Sequence, residues 1–223
     1  MAVTFKLWNQ AQKNLRRLLE DPSRNAEALA ACLEQHGWTH ERQVWAAPLA
    51  TFADQLWQHL DSEVARRIPQ SGEHSIAWIY WHLARIEDTA FNLLVAGSPM
   101  VLDQGQWNAR LNVSARDTGN GMAPEEIEEI SASIDLYALR AYRIAVGQRT
   151  QEIIQSLTVE RLSEKVRPED IQNVRRQAAV RPAAESLLDY WGRRTIRGLL
   201  LMPATRHNMV HLNEAFSLKV RVT

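Results

Sequence analysis

The most chemically informative residues in this sequence are histidines at helical spacing. His207 and His211 stand four apart in Arg206-His207-Asn208-Met209-Val210-His211-Leu212-Asn213-Glu214. On a helix, residues four apart share one face, one turn apart. Both rings can therefore turn toward one ion at the ~2.0–2.1 Å of a zinc–nitrogen bond. The pair falls on an inward stripe with Ala204, Ala215 and Leu218, where a histidine without a partner costs free energy. Asn208 follows His207, so the zinc-protease motif with its general-base glutamate is absent. A third histidine, His82, lies on the stripe Ser75, Ile79, His82, Ile86, Ala90 and Leu93 of another segment. Three nitrogen ligands leave one position open, the arrangement of catalytic rather than closed structural zinc. The competing reading is that each ring bonds a buried carbonyl.

His36 and His40 repeat the spacing in Gln35-His36-Gly37-Trp38-Thr39-His40-Glu41. They stand at a helix end, where the negative dipole terminus favours histidine. They read first as a helix-end or cleft-lining pair, and second as a fourth ligand or proton shuttle. His74 is expected at a helix start and His59 on a surface turn. Cys32, the single cysteine, sits in the apolar run Leu29-Ala30-Ala31-Cys32-Leu33. It reads as a packed thiol in a chain with no internal disulfide.

The elements that must position these side chains are helical throughout, with no sustained period-two alternation. An amphipathic helix is expected from Thr4 to Glu20, ended by Asp21-Pro22-Ser23, with Ser23 capping the next helix to about His40. Residues 46 to 72, with Pro48, Pro69 and Gly72, read as a connector with one helical stretch, Thr51 to Arg67. A strong helix from Glu73 or Ser75 to about Ala96 stops at Gly97-Ser98-Pro99. Residues 97 to 123 form a loop long enough to be functional or packed over something. Pro124 with Glu125, Glu126 and Glu128 starts the longest helix, expected to run to about Leu157. Residues 158 to 182 read as a polar connector with a short helix from Pro168. A last helical region runs from Ala184 to about Leu218, weakened by Gly192 and Gly198 and kinked or restarted at Pro203. The sum is an all-α four-helix bundle. Residues 1–223 form one domain, in which 1–22 are an N-terminal helical extension and 23–220 the bundle.

The bulk composition narrows the function classes. The chain has 223 residues, 45% hydrophobic and 23% charged, ordinary for a folded domain that needs no staples. Its 26 basic and 26 acidic residues cancel, leaving no basic footprint for direct DNA binding or an anionic membrane. The start Met1-Ala2-Val3-Thr4-Phe5-Lys6 lacks a charged lead into a long apolar stretch, and no segment is apolar enough to span a bilayer. A soluble, cytoplasmic protein is expected.

Two stretches carry a family resemblance. Ser75-Ile76-Ala77-Trp78-Ile79-Tyr80-Trp81-His82-Leu83-Ala84-Arg85-Ile86-Glu87-Asp88 resembles the second-helix signature of the DinB-like superfamily, and Arg206 to Ala215 resembles its last-helix signature. Trp107-Asn108-Ala109-Arg110-Leu111, Thr118-Gly119-Asn120-Gly121-Met122 and Leu136 to Tyr142 are similar to segments of one branch. The resemblance covers about residues 25 to 218. Relatives often carry glycine before the last-helix motif and near its end, where this chain has Arg206 and Asn213.

The resemblance implies an up-down-down-up bundle with a nickel, zinc or similar ion on His82, His207 and His211, commonly in a homodimer. It also implies a metal-dependent transferase or isomerase using a low-molecular-weight thiol, as mycothiol-dependent isomerases and bacillithiol transferases do. The alternative is a non-enzymatic, metal-stabilised bundle serving as a binding or dimerisation module. Glu87, Asp88 and Glu214 are the carboxylates nearest the ligands in sequence. One of them can hold a ligand's second ring nitrogen, although surface pairing with Arg85 or Arg206 is the plainer role. Tyr80, Trp81, Trp107 and Tyr142 are pocket candidates that helical spacing equally makes core residues.

Overall fold

The computed structural model describes residues 1–46, 48–70 and 74–222. Thr4, in extended conformation, accepts a hydrogen bond from the Leu7 amide and starts α1 (Phe5–Glu20). The Asp21 side chain, not Ser23, caps the turn that follows: Asp21 Oδ1 accepts from both the Ser23 amide and its hydroxyl. α2 (Asn25–Trp38) then begins without a side-chain cap. The expected single stretch from Thr51 to Arg67 is two short helices, α3 (Phe52–Trp57) and α4 (Ser62–Arg66). Each has its own N-cap, Thr51 with Asp54 in a reciprocal capping box and Asp61. Gly72 and Glu73 lie outside the described residues.

Ser75 caps α5 (Ile76–Asp88) by accepting from the Trp78 amide at 3.0 Å. The helix continues as π-helical turns over Thr89–Ala96 and ends at Gly97, whose φ of +63° gives the left-handed stop. The segment 97–123 contains α6 (Val101–Gln104) and α7 (Trp107–Leu111). Asp88 ties it to the core: its carboxylate accepts from the Val101 amide at 2.8 Å, the Leu102 amide at 3.0 Å, Arg85 at 3.0 Å and the Tyr142 hydroxyl. Arg85 also donates to the Arg116 carbonyl.

The longest expected helix is broken into α8 (Pro124–Ser133) and α9 (Leu136–Ser156). Ile134 is extended, and Asp135 recaps the chain by accepting from the Ala138 amide at 2.8 Å while its own amide donates to Leu111. After α10 (Pro168–Arg176) come α11 (Glu185–Gly192) and α12 (Ile196–Leu201). Pro203 neither breaks nor restarts the chain. It sits in π-helical turns, Met202–Arg206, that run directly into α13 (His207–Val222). A π segment absorbs the amide that proline lacks while keeping the helix continuous.

The bundle is formed by α2, α5, α9 and α13. Every residue of α5 is buried, as suits the central helix: it packs on both α9 and α13, while α2 packs on α9 and on the π turns before α13. α1 lies against α2, and its Trp8, Leu15, Leu18 and Leu19 join the same apolar core. Arg206 and Asn213, which stand where relatives often have glycine, are both exposed, so neither disturbs the packing of α13. The described residues contain no β-strand, only two isolated bridges. None of their helices is long and apolar enough to cross a membrane.

Candidate metal centre

α5 and α13 bring His82, His207 and His211 together. One ring nitrogen of each lies within 4.8 Å of the others, and the ring centroids are 4.7–5.1 Å apart. His82 Nε2 faces His207 Nε2 at 3.2 Å. Two nitrogens bound tetrahedrally at the usual zinc distance are separated by about 3.3 Å, so the His82–His207 spacing already fits one shared ion.

The outer nitrogens fix the tautomers. His82 Nδ1 is directed at the Thr118 carbonyl. A carbonyl only accepts, so Nδ1 carries the proton and Nε2 keeps a lone pair. His211 Nδ1 donates to Glu214 Oε2 at 2.9 Å, freeing its Nε2 in the same way. His207 Nδ1 is buried with no hydrogen-bond partner, which leaves that ring held only through its inward nitrogen. Three clustered imidazoles, with the inward nitrogens of His82 and His211 left as acceptors, are a donor set that suits a borderline divalent ion.

Burial lowers the pKa of His82 to about 3, with His211 adding to the effect and the Thr118 carbonyl opposing it. Burial, then the neighbouring His82 and His211 rings, also hold His207 well below its ordinary value. Burial pushes the other way on Glu214, but hydrogen bonds from His211 and His74 outweigh it and set the carboxyl at about 2. His82 and His207 are therefore neutral rings, backed by the ionised Glu214 carboxylate.

Thr118 reaches His82 through a tightly specified loop. Gly119 has φ +84°, and a Cβ there would stand 2.8 Å from the Trp81 ring and 2.9 Å from that of Trp78. Only glycine tolerates both the angle and the contact. Asp117 accepts from the Gly119 amide at 2.7 Å and is itself paired with Arg181 at 2.9 Å.

The triad opens into a cavity of about 670 Å³. Its walls include Trp78, Trp191, Ile127, Leu187, Met122 and Met202, with His74, Asn120 and Glu128 as polar members. His74 stacks on Trp78 at 4.1 Å, Trp78 stacks on His82 at 5.0 Å, and His74 Nδ1 donates to Glu214 at 3.0 Å. Of the aromatic candidates, Tyr80, Trp81, Trp107 and Tyr142 are all core residues and none lines the cavity. Trp78 and Trp191 take that place. Trp78 is four residues before His82, a positional signal that helical spacing alone does offer. His59 lies on an exposed turn.

His36 and His40 are neither in the cleft nor beside the triad. Both are fully buried and meet Glu87. Gln151 Nε2 donates to the Leu33 carbonyl at 3.0 Å and to His36 Nδ1 at 2.7 Å. His36 Nε2 therefore holds the proton and donates to Glu87 at 2.8 Å, although His36, His40 and Glu87 also lie close enough together to form a second, fully buried group able to hold a metal ion. Asn208 donates to the other Glu87 oxygen at 2.8 Å. One residue from each bundle helix thus closes a polar layer in the core.

A family model for the DinB superfamily matches residues 53–215. This chain belongs to the DinB superfamily. The match contains all three triad histidines but not α1 or α2, so it is narrower than the resemblance traced over residues 25 to 218, and His36 and His40 lie outside it. No curated protein matches the chain. The superfamily assignment and the histidine cluster together fit a metal-binding, DinB-like protein.

Proposed function

We propose that this chain is a metal-dependent transferase or isomerase that activates a low-molecular-weight thiol, with His82, His207 and His211 as the ligands of a zinc or nickel ion. The observation that carries the reading is that three clustered histidines, two of them with their inward nitrogens freed by outer hydrogen bonds, open on one side into a large cavity. A divalent ion on three neutral ligands retains its charge and lowers the pKa of a thiol or water at the open position.

The chain's own groups do the rest. The Thr118 carbonyl and the Glu214 carboxylate hold His82 and His211 in the ligating tautomer. His74 lines the cavity and donates its Nδ1 proton to Glu214, so its Nε2 is the acceptor placed to take the proton of an incoming thiol. The apolar walls would exclude water from a bound thiol, whose sulfur could add to an electrophilic carbon–carbon double bond as the π bond breaks and the proton taken by His74 returns to the neighbouring carbon. A homodimer is the setting that the family resemblance implies, in the cytoplasmic location expected from the sequence.

The test is turnover of model electrophiles with a panel of low-molecular-weight thiols, before and after chelation. Thiol-dependent turnover, lost on chelation and in the His207→Ala, His211→Ala double variant, is the expected result. No turnover with any thiol, together with a melting temperature that drops on chelation, contradicts the reading and leaves a structural metal.

A further inference from the structure

The cavity walls say what kind of second substrate the site takes, an inference that rests on reading the cavity as the active site. The cavity is walled by Ile127, Leu187, Met122, Met202, Tyr190, Trp191 and Trp78, the last of which stacks with both His74 and His82. Among the described residues, no lysine or arginine lines this space, and the only carboxylate is that of Glu128, an exposed residue. Arg66 and Arg67 flank a neighbouring surface pocket that shares Ile68 and Glu128 with the cavity, outside its lining. Arg181 pairs with Glu126 at 2.8 Å and Asp117 at 2.9 Å, and Arg194 lies 4.0 Å over the Tyr190 ring.

A carboxylate or phosphate entering such a space loses its hydration and meets no cationic side chain in return, a loss that burial makes expensive. A neutral apolar molecule loses little and gains contact with every wall. The size fits a small organic molecule. The two methionines, unbranched and rotatable, adjust to different outlines, so the walls select for charge more strictly than for shape.

We infer that the acceptor of this site is a neutral, largely apolar electrophile, with the polar remainder of any thiol partner directed to the rim at Asn120, His74 and Glu128. The walls themselves offer an anionic acceptor no cationic side chain.

The experiment is calorimetric titration of metal-free protein with naphthamide and naphthoate, which share a ring system and differ in charge. Leaving the ion out removes any bond between the carboxylate and the metal, so the walls alone are read. Naphthamide is expected to bind at least roughly tenfold more tightly, a difference of about 1.4 kcal/mol. Leu187→Arg supplies the missing cation and is expected to reverse the order. Met122→Lys, at a half-buried position, gives the same reading if the first variant folds poorly. Naphthoate binding as tightly as naphthamide, no binding of either, or an unchanged order in the folded variants overturns the inference. Because no turnover is measured, failure of the thiol-transfer reading leaves this result standing, and the reverse also holds.

Discussion

Glu214 holds His211 by its Nδ1 at 2.9 Å, and the same carboxylate holds His74 at 3.0 Å, tying a ligand of the triad to a ring of the cavity wall. Such outer contacts fix a ligand's tautomer and orientation, and losing one typically weakens metal binding roughly ten- to a hundredfold. Glu214→Gln is therefore expected to weaken zinc affinity by about that factor in competition with a chromophoric chelator, with the fold intact by circular dichroism. Unchanged affinity would place Glu214 among the surface charges.

Gly119→Ala tests how the Thr118 carbonyl is delivered. The added Cβ meets two tryptophan rings at 2.8 and 2.9 Å, at a backbone angle that alanine rarely adopts. Overpacking and strain of this kind cost about 1–3 kcal/mol. Chemical denaturation should show that loss, and metal affinity should fall with it because Thr118 moves away from His82. Lost stability with unchanged metal affinity would separate the loop from the site.

Much of the candidate centre is legible in the sequence because its signals are local. His207 and His211 need only helical spacing, Ser75 caps as serine does, and Gly97 stops α5 as expected. The break between α8 and α9 is harder, since Ile130, Ile134 and Leu136 continue the apolar pattern across it. The overriding choice is tertiary, the Asp135 amide bonding to Leu111 of the preceding loop. The partners of His36 and His40 are harder still. Glu87 lies 51 residues from His36 and Gln151 lies 115 away, so only the packed bundle reveals that layer. Nor does local spacing separate the core rings of Trp81 and Tyr142 from the cavity edge of Trp78.

The buried layer has its own pH signature. Burial would raise the Glu87 carboxyl, but His40 and His36 outweigh it and hold it well below its ordinary 4.5. A carboxyl with a depressed folded-state pKa contributes stability that is full above the unfolded value and lost as pH falls through the folded one. In metal-free protein the melting temperature should thus fall as pH drops below about 4.5, and Glu87→Gln should flatten that limb. An equally steep acid limb in the variant would assign the slope to other groups.

Burial, with Glu87 adding to it, pushes the Cys32 thiol up to about 12. The thiolate is the reactive form, so the native protein should resist a disulfide-exchange reagent at neutral pH and react fully once unfolded in denaturant. Rapid labelling of the native state would show that α2 opens locally far more often than its packing implies.

The metal content of the purified protein bears most directly on the central claim. Elemental analysis should find one divalent ion per chain in the wild type and close to none in a folded His207→Ala, His211→Ala double variant. A double variant that keeps the full wild-type metal content would put the ion elsewhere and contradict the assignment of His82, His207 and His211.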